Sequence, residues 1–248
     1  MKAMVLAAGL GTRLRPLTDH CPKALVEVGG RTLLEITLTS LRTLGIREVI
    51  INVHHFAGTI LNFLKTNNNF GMSIEVSIEE VLLDTGGGLK KAGWFFLEDM
   101  ARKEQAFLLH NVDVISTIDL VCMTKKHNEN QALATLAVQE RETSRYLLFN
   151  EEAQLCGRRI VREQREEIVR KTEKREALAF TGIHVISPRL LGMMKEDGAF
   201  SIVDLYLRLA GQGENIQSFR ADNYYWRDLG KLDQLQQADE DFAKKLFP

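Results

Sequence analysis

The sequence predicts an α/β fold in which a mostly parallel central sheet lies between helices. Two observations support this prediction. Short apolar runs rich in β-branched residues recur along the chain, and segments with a helical spacing of apolar residues separate them. Strands that alternate with helices of this length are typical of βαβ units. The predicted strands are 3–6, 48–53, 72–78, 106–109, 132–138, 179–186, 216–219 and 225–226, and the predicted helices are 32–44, 57–64, 89–97, 119–127, 202–210 and 232–246, with a further helix beginning at Pro188.

The first half of the chain gives the clearest local signals. The segment 32–44 has apolar residues at helical spacing and is followed by Gly45, a residue type that often ends a helix. The run 48–53 is rich in β-branched residues, and 57–64 again has helical spacing. In 72–78 apolar and polar residues alternate, as expected for a strand with one buried face. These segments therefore predict two successive βα units and a third strand.

The segment from Glu140 to Glu176 differs from the rest in composition. Two short apolar runs, 146–149 and 154–156, predict a hairpin, and 158–176 is dense in charges of both signs. A run of mixed charge is typical of a solvated surface. We therefore expect a small antiparallel ribbon or a flexible loop here, before the chain returns to the sheet at 179–186.

Length and charge limit the possible functions. The 248 residues can bury the core of a single domain, and 45% hydrophobic and 26% charged residues are ordinary values for a soluble globular protein. The formal net charge of −1 gives no support for a protein that coats nucleic acid or a membrane surface. Any anion binding must therefore be local.

The cysteines and the N-terminal residues indicate a compartment. Cys21, Cys122 and Cys156 lack metal-ligand spacing and are expected to be reduced structural thiols. Met1 leads directly into the first predicted strand with no signal peptide, and no apolar run approaches the roughly 18 residues of a membrane span. We therefore expect a cytoplasmic protein without nucleic-acid or membrane partners, as a monomer or small homo-oligomer.

The loop that follows the first strand, LAAGLGTRLRPLTDHCPK over residues 6–23, is rich in glycine and basic residues. Glycine lets backbone N–H groups approach an anion, while Arg13, Arg15 and Lys23 add cationic groups suited to phosphate. The loop lacks the Gly-Lys-Ser/Thr of a P-loop, and Leu14 stands where a dinucleotide fingerprint needs its third glycine. The pattern predicts a polyphosphate site of another kind.

The same residues resemble a known family. Leu6-Ala7-Ala8-Gly9, Gly11-Thr12-Arg13-Leu14-Arg15-Pro16-Leu17-Thr18 and Pro22-Lys23 are similar to the signature of the sugar-1-phosphate nucleotidyltransferases. The resemblance implies a Rossmann-like three-layer fold in one domain, with a nucleotide-binding part at 1–120 and a sugar-phosphate-binding part at 121–248. It also implies an enzyme that transfers a nucleoside monophosphate from a nucleoside triphosphate to a sugar 1-phosphate and releases pyrophosphate. Such catalysis depends on positioning and charge neutralisation.

The resemblance assigns roles within the first motif. Lys23 is the expected contact of the α-phosphate and the main catalytic cation, and Arg13 is a second catalytic cation that offsets charge on the β- and γ-phosphates. The expected nucleotide-binding residues are Leu6, Ala8, Gly9, Gly11, Thr12, Arg13, Lys23, Gly86 and Gly87. The last two belong to a second motif, Asp84-Thr85-Gly86-Gly87-Gly88, whose backbone is expected to contact the base from a turn before a helix, with Glu79 or Glu80 as a possible further contact.

Two aspartates are the expected Mg²⁺ ligands by the same resemblance. Asp113 matches the aspartate of the family's Asn-Gly-Asp turn and is also an expected catalytic residue, and Asp228 is the second ligand. Two carboxylates with phosphate oxygens suit a hard cation of this kind. The sequence departs from the pattern at Val112, where the family has glycine, and at Lys231-Leu232, where it has threonine and proline.

The acceptor side is less strongly marked. Asn111, Gly182 and Asp228 are the expected substrate-binding residues, and Gly182 lies in a segment that resembles the family's sugar contact. Family members commonly carry Glu-Lys-Pro on the preceding ribbon, whereas here Glu173-Lys174 lacks the proline. The histidines His54, His55 and His110 lack the supporting partners that a metal site would need.

Within the family, the chain most resembles the short catalytic-domain form without hexapeptide repeats. The favoured reaction joins UTP to an N-acetylmuramate-type or hexose 1-phosphate. Mannose-1-phosphate guanylyl transfer from GTP and phosphocholine cytidylyl transfer from CTP remain alternatives. A different class of function, a module that senses sugar nucleotides without turnover, is supported only by the departures at Val112 and Lys231-Leu232.

Overall fold

The computed structural model describes residues 1–98 and 104–247, which form a three-layer α/β structure. The strands are β1 (Ala3–Leu6), β2 (Glu27–Val28), β3 (Arg31–Thr32), β4 (Glu48–Val53), β5 (Ser73–Ile78), β6 (Phe107–Asn111), β7 (Val114–Ser116), β8 (Ala134–Gln139), β9 (Arg145–Phe149), β10 (Leu155–Ile160), β11 (Arg165–Ile168), β12 (Glu176–Ile186), β13 (Ile216–Arg220) and β14 (Trp226–Asp228). The helices are α1 (Leu33–Thr43), α2 (Ala57–Thr66), α3 (Asp84–Ala92), α4 (Trp94–Leu97), α5 (Leu120–Glu129), α6 (Ile202–Gly211) and α7 (Leu232–Ala243).

A ten-stranded sheet organises the molecule. Its main path runs β11-β10-β9-β12-β6-β1-β4-β5, with β8 beside β12 and β13 beside β8. The central strands β6, β1, β4 and β5 are parallel, which confirms the predicted fold class. The charged segment forms the antiparallel hairpin β10–β11. This ribbon continues the main sheet through β9 and β12, because the long strand β12 pairs with β9 at one end and with β6 at the other.

Alternate residues of the sheet supply two cores, one on each face. In β1, Ala3 and Val5 pack into the core beneath α1, α2, α5 and α7, whereas Met4 packs into the core beneath α3, α4 and α6. This division follows from the period of two along a strand. Among the described residues, no helix is long and apolar enough to cross a bilayer.

The structure corrects the predicted helix at 89–97. Helix α3 begins at Asp84, five residues earlier, and contains all three glycines of the second motif. Glycine has a low helix propensity, so the sequence favours a turn at this position. Tertiary packing decides otherwise: a Cβ on Gly86 would lie 2.3 Å from the Phe200 ring, and a Cβ on Gly87 would lie 2.4 Å from the Gly198 carbonyl oxygen. The glycines allow α3 to pack closely on this neighbouring loop.

Smaller differences occur near the C-terminus. The segment that begins at Pro188 is a 3-10 helix over Pro188–Met193, and the last helix ends at Ala243 rather than 246. The strand predicted at 225–226 is β14, which pairs with β7 in a separate two-stranded sheet.

Three buried histidines make the fold sensitive to acid. Burial lowers the pKa of His110 and of His127 to about 4 and the pKa of His184 to about 3. The unfolded chain therefore binds more protons below pH 6.5, the ordinary histidine pKa, so stability falls as the pH drops from about 6.5 toward 4. At pH 5 each histidine costs about 2 kcal/mol relative to neutral pH.

We therefore expect urea unfolding to have a lower midpoint at pH 5 than at pH 7.5. His127→Gln should reduce this pH dependence, because it removes one of the three buried titrating groups, while the glutamine side chain can still hydrogen-bond the Thr135 hydroxyl that lies 2.9 Å from His127 Nδ1. Equal pH dependence in the wild type and in this variant would contradict the assignment.

Candidate active site

Three parallel strands end side by side at a cleft. The register places Leu6 at the end of β1 opposite Asn52 of β4 on one side and opposite Asn111 of β6 on the other. Ligands in open α/β sheets bind outside such carboxyl ends, at the point where the strand order reverses. The first cleft, of about 330 Å³, is lined here by Leu6, Ala7, Ala8, Gly9, Lys23, Asn52, Leu82, Asp84, Thr85, Asn111, Val112, Asp113 and Ala199.

A buried network fixes one wall of the first cleft. Asn52, 2% exposed, accepts a hydrogen bond from the Ala7 N–H at 2.8 Å and donates one to Glu79 Oε1 at 2.7 Å. The other oxygen of Glu79 accepts from the Leu83 N–H at 3.0 Å. Glu79 therefore braces the loops of the cleft, and neither Glu79 nor Glu80 lines it. Sequence reasoning missed Asn52, although a polar residue that ends an apolar strand is a usable signal.

The glycine loop is packed tightly at its turn. Gly11 has a φ of +65°, and a Cβ there would lie 2.8 Å from Thr18 Cγ2 and 3.2 Å from Lys23 Cβ. The Thr18 hydroxyl donates to the Gly11 carbonyl at 2.8 Å. Only glycine fits this backbone without strain. The turn thereby holds the start of the loop against Lys23.

Lys23 and Asp113 form an ion pair in the lining of the first cleft. The Lys23 Nζ contacts Asp113 Oδ2, and their side chains are 10% and 18% exposed. The two residues are ninety positions apart in the sequence, and the topology that puts β6 beside β1 brings them together. The structure thus joins the expected catalytic lysine with the expected catalytic carboxylate.

A second cleft, of about 630 Å³, opens next to the first and shares Asn111 with it. It is more strongly charged than the first. Its lining consists of Arg13, Asn111, Val114, Arg141, Glu142, Thr143, Ser144, Arg162, Phe180, Thr181, Gly182, Trp226, Asp228, Lys231 and Gln234.

The strand pair β7–β14 brings Asp228 next to Asp113. Asp228 is opposite Val114 in this antiparallel pair, and the Leu229 N–H donates to the Asp113 carbonyl at 2.8 Å. Asp228 Oδ1 is oriented by the Gly230 N–H at 2.8 Å. The two carboxylates therefore come from adjacent backbone positions, one lining each cleft.

Arg13 lines the second cleft rather than the first. A Cβ on Gly230 would lie 2.5 Å from an Arg13 Nη and 2.7 Å from Asp228 Oδ1, so the absence of a side chain at Gly230 makes room for both groups. Arg15, in contrast, is exposed and pairs with Asp19 at 3.2 Å. Thr12 lies in the short 3-10 helix Thr12–Leu14 and, like Gly11, lines neither cleft.

Gly86 and Gly87 do not line the first cleft. Their N–H groups donate to the Phe200 carbonyl at 2.9 and 3.4 Å, which leaves these amides engaged within the protein. The residues of the second motif that line the cleft are Asp84 and Thr85, which precede the glycines. Both amides thus take part in the packing of α3 on the loop at 198–200, and the expected contact of the glycine backbone with the base stays a prediction.

The departures from the family pattern have clear structural settings. Val112 has no positive φ, its side chain is 4% exposed, and it packs in the core. Valine therefore causes no backbone strain at this position. Lys231 precedes α7 and lines the second cleft. Lys174 pairs with Glu151 at 3.1 Å, and neither Glu173 nor Lys174 lines either of the two clefts.

Gly182 lies at a bulge in β12 and contacts the shared wall of the two clefts. Its φ is +81°, and a Cβ would lie 2.5 Å from Asn111 Nδ2. We expect Gly182→Ala to displace Asn111 and to lower kcat/KM by roughly 10²-fold, since a misplacement of about 1 Å can cost that much. Gly192→Ala is the control, because a Cβ there meets nothing within 4 Å. Equal kcat/KM in the two variants would contradict the prediction.

Arg141 is a cleft residue that sequence reasoning missed. Its guanidinium lies 3.8 Å from the centre of the Trp226 ring, and an Nη donates to the Phe180 carbonyl at 2.8 Å. Arg141 follows β8 in a charged segment, Glu140 to Glu142, where sequence alone favours a solvated surface. Arg141 is partly enclosed because Phe180 of β12 and Trp226 of β14 contact it.

The carboxylates of Asp113 and Asp228 can be compared with the ligands that Mg²⁺ prefers. In the part of the chain that the structure describes, no group of three or more His, Cys, Asp or Glu side chains is arranged to hold a metal ion. Mg²⁺ is commonly held by one or two carboxylates together with substrate phosphates and water. The donor set of Asp113 and Asp228 therefore fits Mg²⁺ and does not fit a metal that requires a closed protein cage.

Comparisons with known proteins identify relatives of the chain. The N-acetylmuramate α-1-phosphate uridylyltransferase of Caulobacter vibrioides is 32% identical over 222 residues, which are 85% of this chain and 85% of that protein. The UTP–glucose-1-phosphate uridylyltransferase of Synechocystis is 29% identical over 96% of this chain, but the chain covers only 62% of that relative's length. The structure of the inositol-1-phosphate CTP transferase from T. maritima superposes with a TM-score of 0.75 at 18% identity, covering 99% of this chain and 95% of that one.

The structural match supports the fold alone, because its sequence identity is low. The sequence matches reach further: residues 2–245 fit the family model described as nucleotidyl transferase. A model that spans nearly the whole chain, together with a relative above 30% identity over most of both proteins, assigns the family. The chain therefore belongs to the nucleotidyl transferase family, within which its relatives are sugar-1-phosphate nucleotidyltransferases.

Proposed function

We propose that this protein transfers a nucleoside monophosphate from a nucleoside triphosphate to a sugar 1-phosphate. The observation that carries the proposal is the Lys23–Asp113 pair, which lines the first cleft, with Asp228 on the adjoining strand in the lining of the second. The first cleft receives the triphosphate and the second receives the acceptor. The reaction joins an acceptor phosphate oxygen to the α-phosphorus and breaks the bond from that phosphorus to the pyrophosphate.

The reaction requires neutralisation of phosphate charge and does not require a nucleophile from the protein. The attacking oxygen is already anionic, so no side chain has to remove a proton from it. Lys23 places a positive charge in the first cleft, and Arg13 supplies another from the second cleft. Preorganised charges of this kind stabilise the negative charge that is redistributed in the transition state.

Asp113 and Asp228 are the residues that would hold Mg²⁺. When bound, the metal would offset negative charge on the phosphate oxygens. Lys23 contacts only one of the two Asp113 oxygens, Oδ2, in the hydrogen bonds of the structure. The pair therefore orients Asp113, while Gly230 orients Asp228 through its N–H.

The favoured substrates are UTP and an N-acetylmuramate-type or hexose 1-phosphate. The similarity to the Caulobacter vibrioides uridylyltransferase over most of both chains supports this choice. GTP with mannose 1-phosphate and CTP with phosphocholine are the alternatives. Val112 is buried without a positive φ, so the valine causes no backbone strain at this position. This weakens the sensor alternative, because Val112 was one of the two departures that supported it.

Pyrophosphate release across a matrix of substrates tests the proposal. ATP, CTP, GTP, UTP and dTTP are each combined with several sugar 1-phosphates and with phosphocholine, with and without Mg²⁺. We expect release with UTP and a sugar 1-phosphate only when Mg²⁺ is present. Nucleotide binding without release from any pair would favour the sensor, and release with another pair would correct the substrates but not the reaction.

A further inference from the structure

Arg141 is held rigidly but is poorly satisfied by the protein. Its guanidinium stacks on Trp226, whose Nε1 donates to the Thr181 carbonyl at 2.8 Å, and one Nη donates to the Phe180 carbonyl. The Trp226 ring is the platform on which Arg141 lies, and its hydrogen bond links β14 to β12. Among residues 1–98 and 104–247, the Nε of Arg141 is the one buried side-chain nitrogen or oxygen without a hydrogen-bond partner.

Other partly buried arginines of this chain show what a purely structural role requires. Arg170 donates to Gln154 and to the carbonyls of Ala210 and Glu214. Arg208 donates to both oxygens of Glu196, to Gln212 and to the Met193 carbonyl. Arg141 instead has a single acceptor, the Phe180 carbonyl, within the described part of the chain. Buried donors are almost always paired, so the incompletely paired guanidinium of a residue that lines the second cleft has donor capacity for a partner from outside the protein.

The charge of the second cleft identifies the kind of partner. Arg13, Arg141, Arg162 and Lys231 line it, against only Glu142 and Asp228. The Arg141 guanidinium stacks on Trp226, which belongs to the same short strand, β14, as Asp228. A cationic cleft with a fixed planar fork of donors suits a phosphate. Thr143 and Ser144 line the same cleft.

We propose that Arg141 binds the phosphate of the acceptor and positions it for attack. This inference rests on the proposed function and names the group that holds the acceptor. Lys174 of the charged segment is not placed for this role, because it lies outside the second cleft and pairs with Glu151. The Trp226 platform and the Phe180 carbonyl fix the guanidinium before the acceptor arrives, which limits the entropy lost on binding.

Steady-state kinetics of three variants test the role. Arg141→Gln should raise the acceptor KM at least tenfold and leave the KM for the nucleoside triphosphate within twofold. Arg141→Lys should fall between this variant and the wild type, since lysine keeps the charge but loses the fork. Arg189→Gln is the control, because Arg189 is exposed and lines neither cleft. An unchanged acceptor KM, or a raised KM for the triphosphate alone, would overturn the inference.

A binding measurement keeps the inference testable without turnover. The chain has two tryptophans, Trp94 and Trp226, so Trp94→Phe leaves the platform as the only tryptophan. Titration of this variant with inorganic phosphate or a sugar 1-phosphate should change its fluorescence, and the free sugar should not. Adding Arg141→Gln, or Arg141→Lys if the glutamine variant has a lowered Tm, should remove or weaken the change. The same titration curve with and without Arg141 would reject the site.

The two measurements separate this inference from the proposed function. A wild-type protein that releases no pyrophosphate but binds phosphate through Arg141 would contradict only the reaction. A wild-type protein that turns over while its Arg141 variants keep the acceptor KM would contradict only the role of Arg141.

Discussion

Replacing Lys23 with alanine is expected to lower kcat by roughly 10²- to 10³-fold, the effect typical of removing one preorganised group that stabilises transition-state charge. The KM for the nucleoside triphosphate should change much less. Lys23 lines the first cleft, its side chain is 10% exposed, and its Nζ contacts Asp113. A charge placed there acts on the phosphates as they react. Single-turnover kinetics at saturating substrates would measure the effect on chemistry directly.

Arg15→Ala is the matched control for this experiment. Arg15 belongs to the same basic loop, but it is exposed and pairs with Asp19 on the surface. Exposed pairs of this kind contribute little, so this variant should keep both kcat and Tm close to those of the wild type. An equal kcat in Lys23→Ala and Arg15→Ala would remove Lys23 from catalysis.

Asp228→Asn is expected to raise the Mg²⁺ concentration that gives half-maximal activity by at least about tenfold. Loss of a partner that only supports a metal ligand typically costs 10- to 100-fold in affinity, and loss of a ligand should cost no less. The amide keeps the shape and can still accept from the Gly230 N–H. Asp113→Ala should be more severe and should abolish pyrophosphate release, because it also removes the partner of Lys23.

Magnesium titrations of activity would check both aspartates. Asp233→Asn is a suitable control, since Asp233 is an exposed carboxylate in the first turn of α7, a few residues beyond Asp228. A normal magnesium titration for Asp228→Asn would disprove its assignment as a ligand. If Asp113→Ala does not fold, the same magnesium titration is made with Asp113→Asn, which preserves the shape of the side chain.

Local patterns were sufficient for most of the fold. The strands β1, β4, β5 and β6 and the helix α1 follow from apolar periodicity over a few residues, which depends only on neighbours along the chain. The glycine loop was likewise visible, because its turn at Gly11 requires a residue type that the sequence displays directly. These signals, with the family resemblance, were enough to predict the fold class and the family.

The sequence alone therefore determined which segments form the layers and which residue types reach the carboxyl ends of the strands. Tertiary structure alone decided which side chains meet there. Gly86 and Gly87 lie in α3, where they pack closely against the loop that contains Phe200. Arg141 lines the second cleft because Phe180 of β12 and Trp226 of β14 both contact it. The reason is physical: periodicity is set by bonded neighbours, whereas burial and pairing are set by contacts between residues as distant as Lys23 and Asp113.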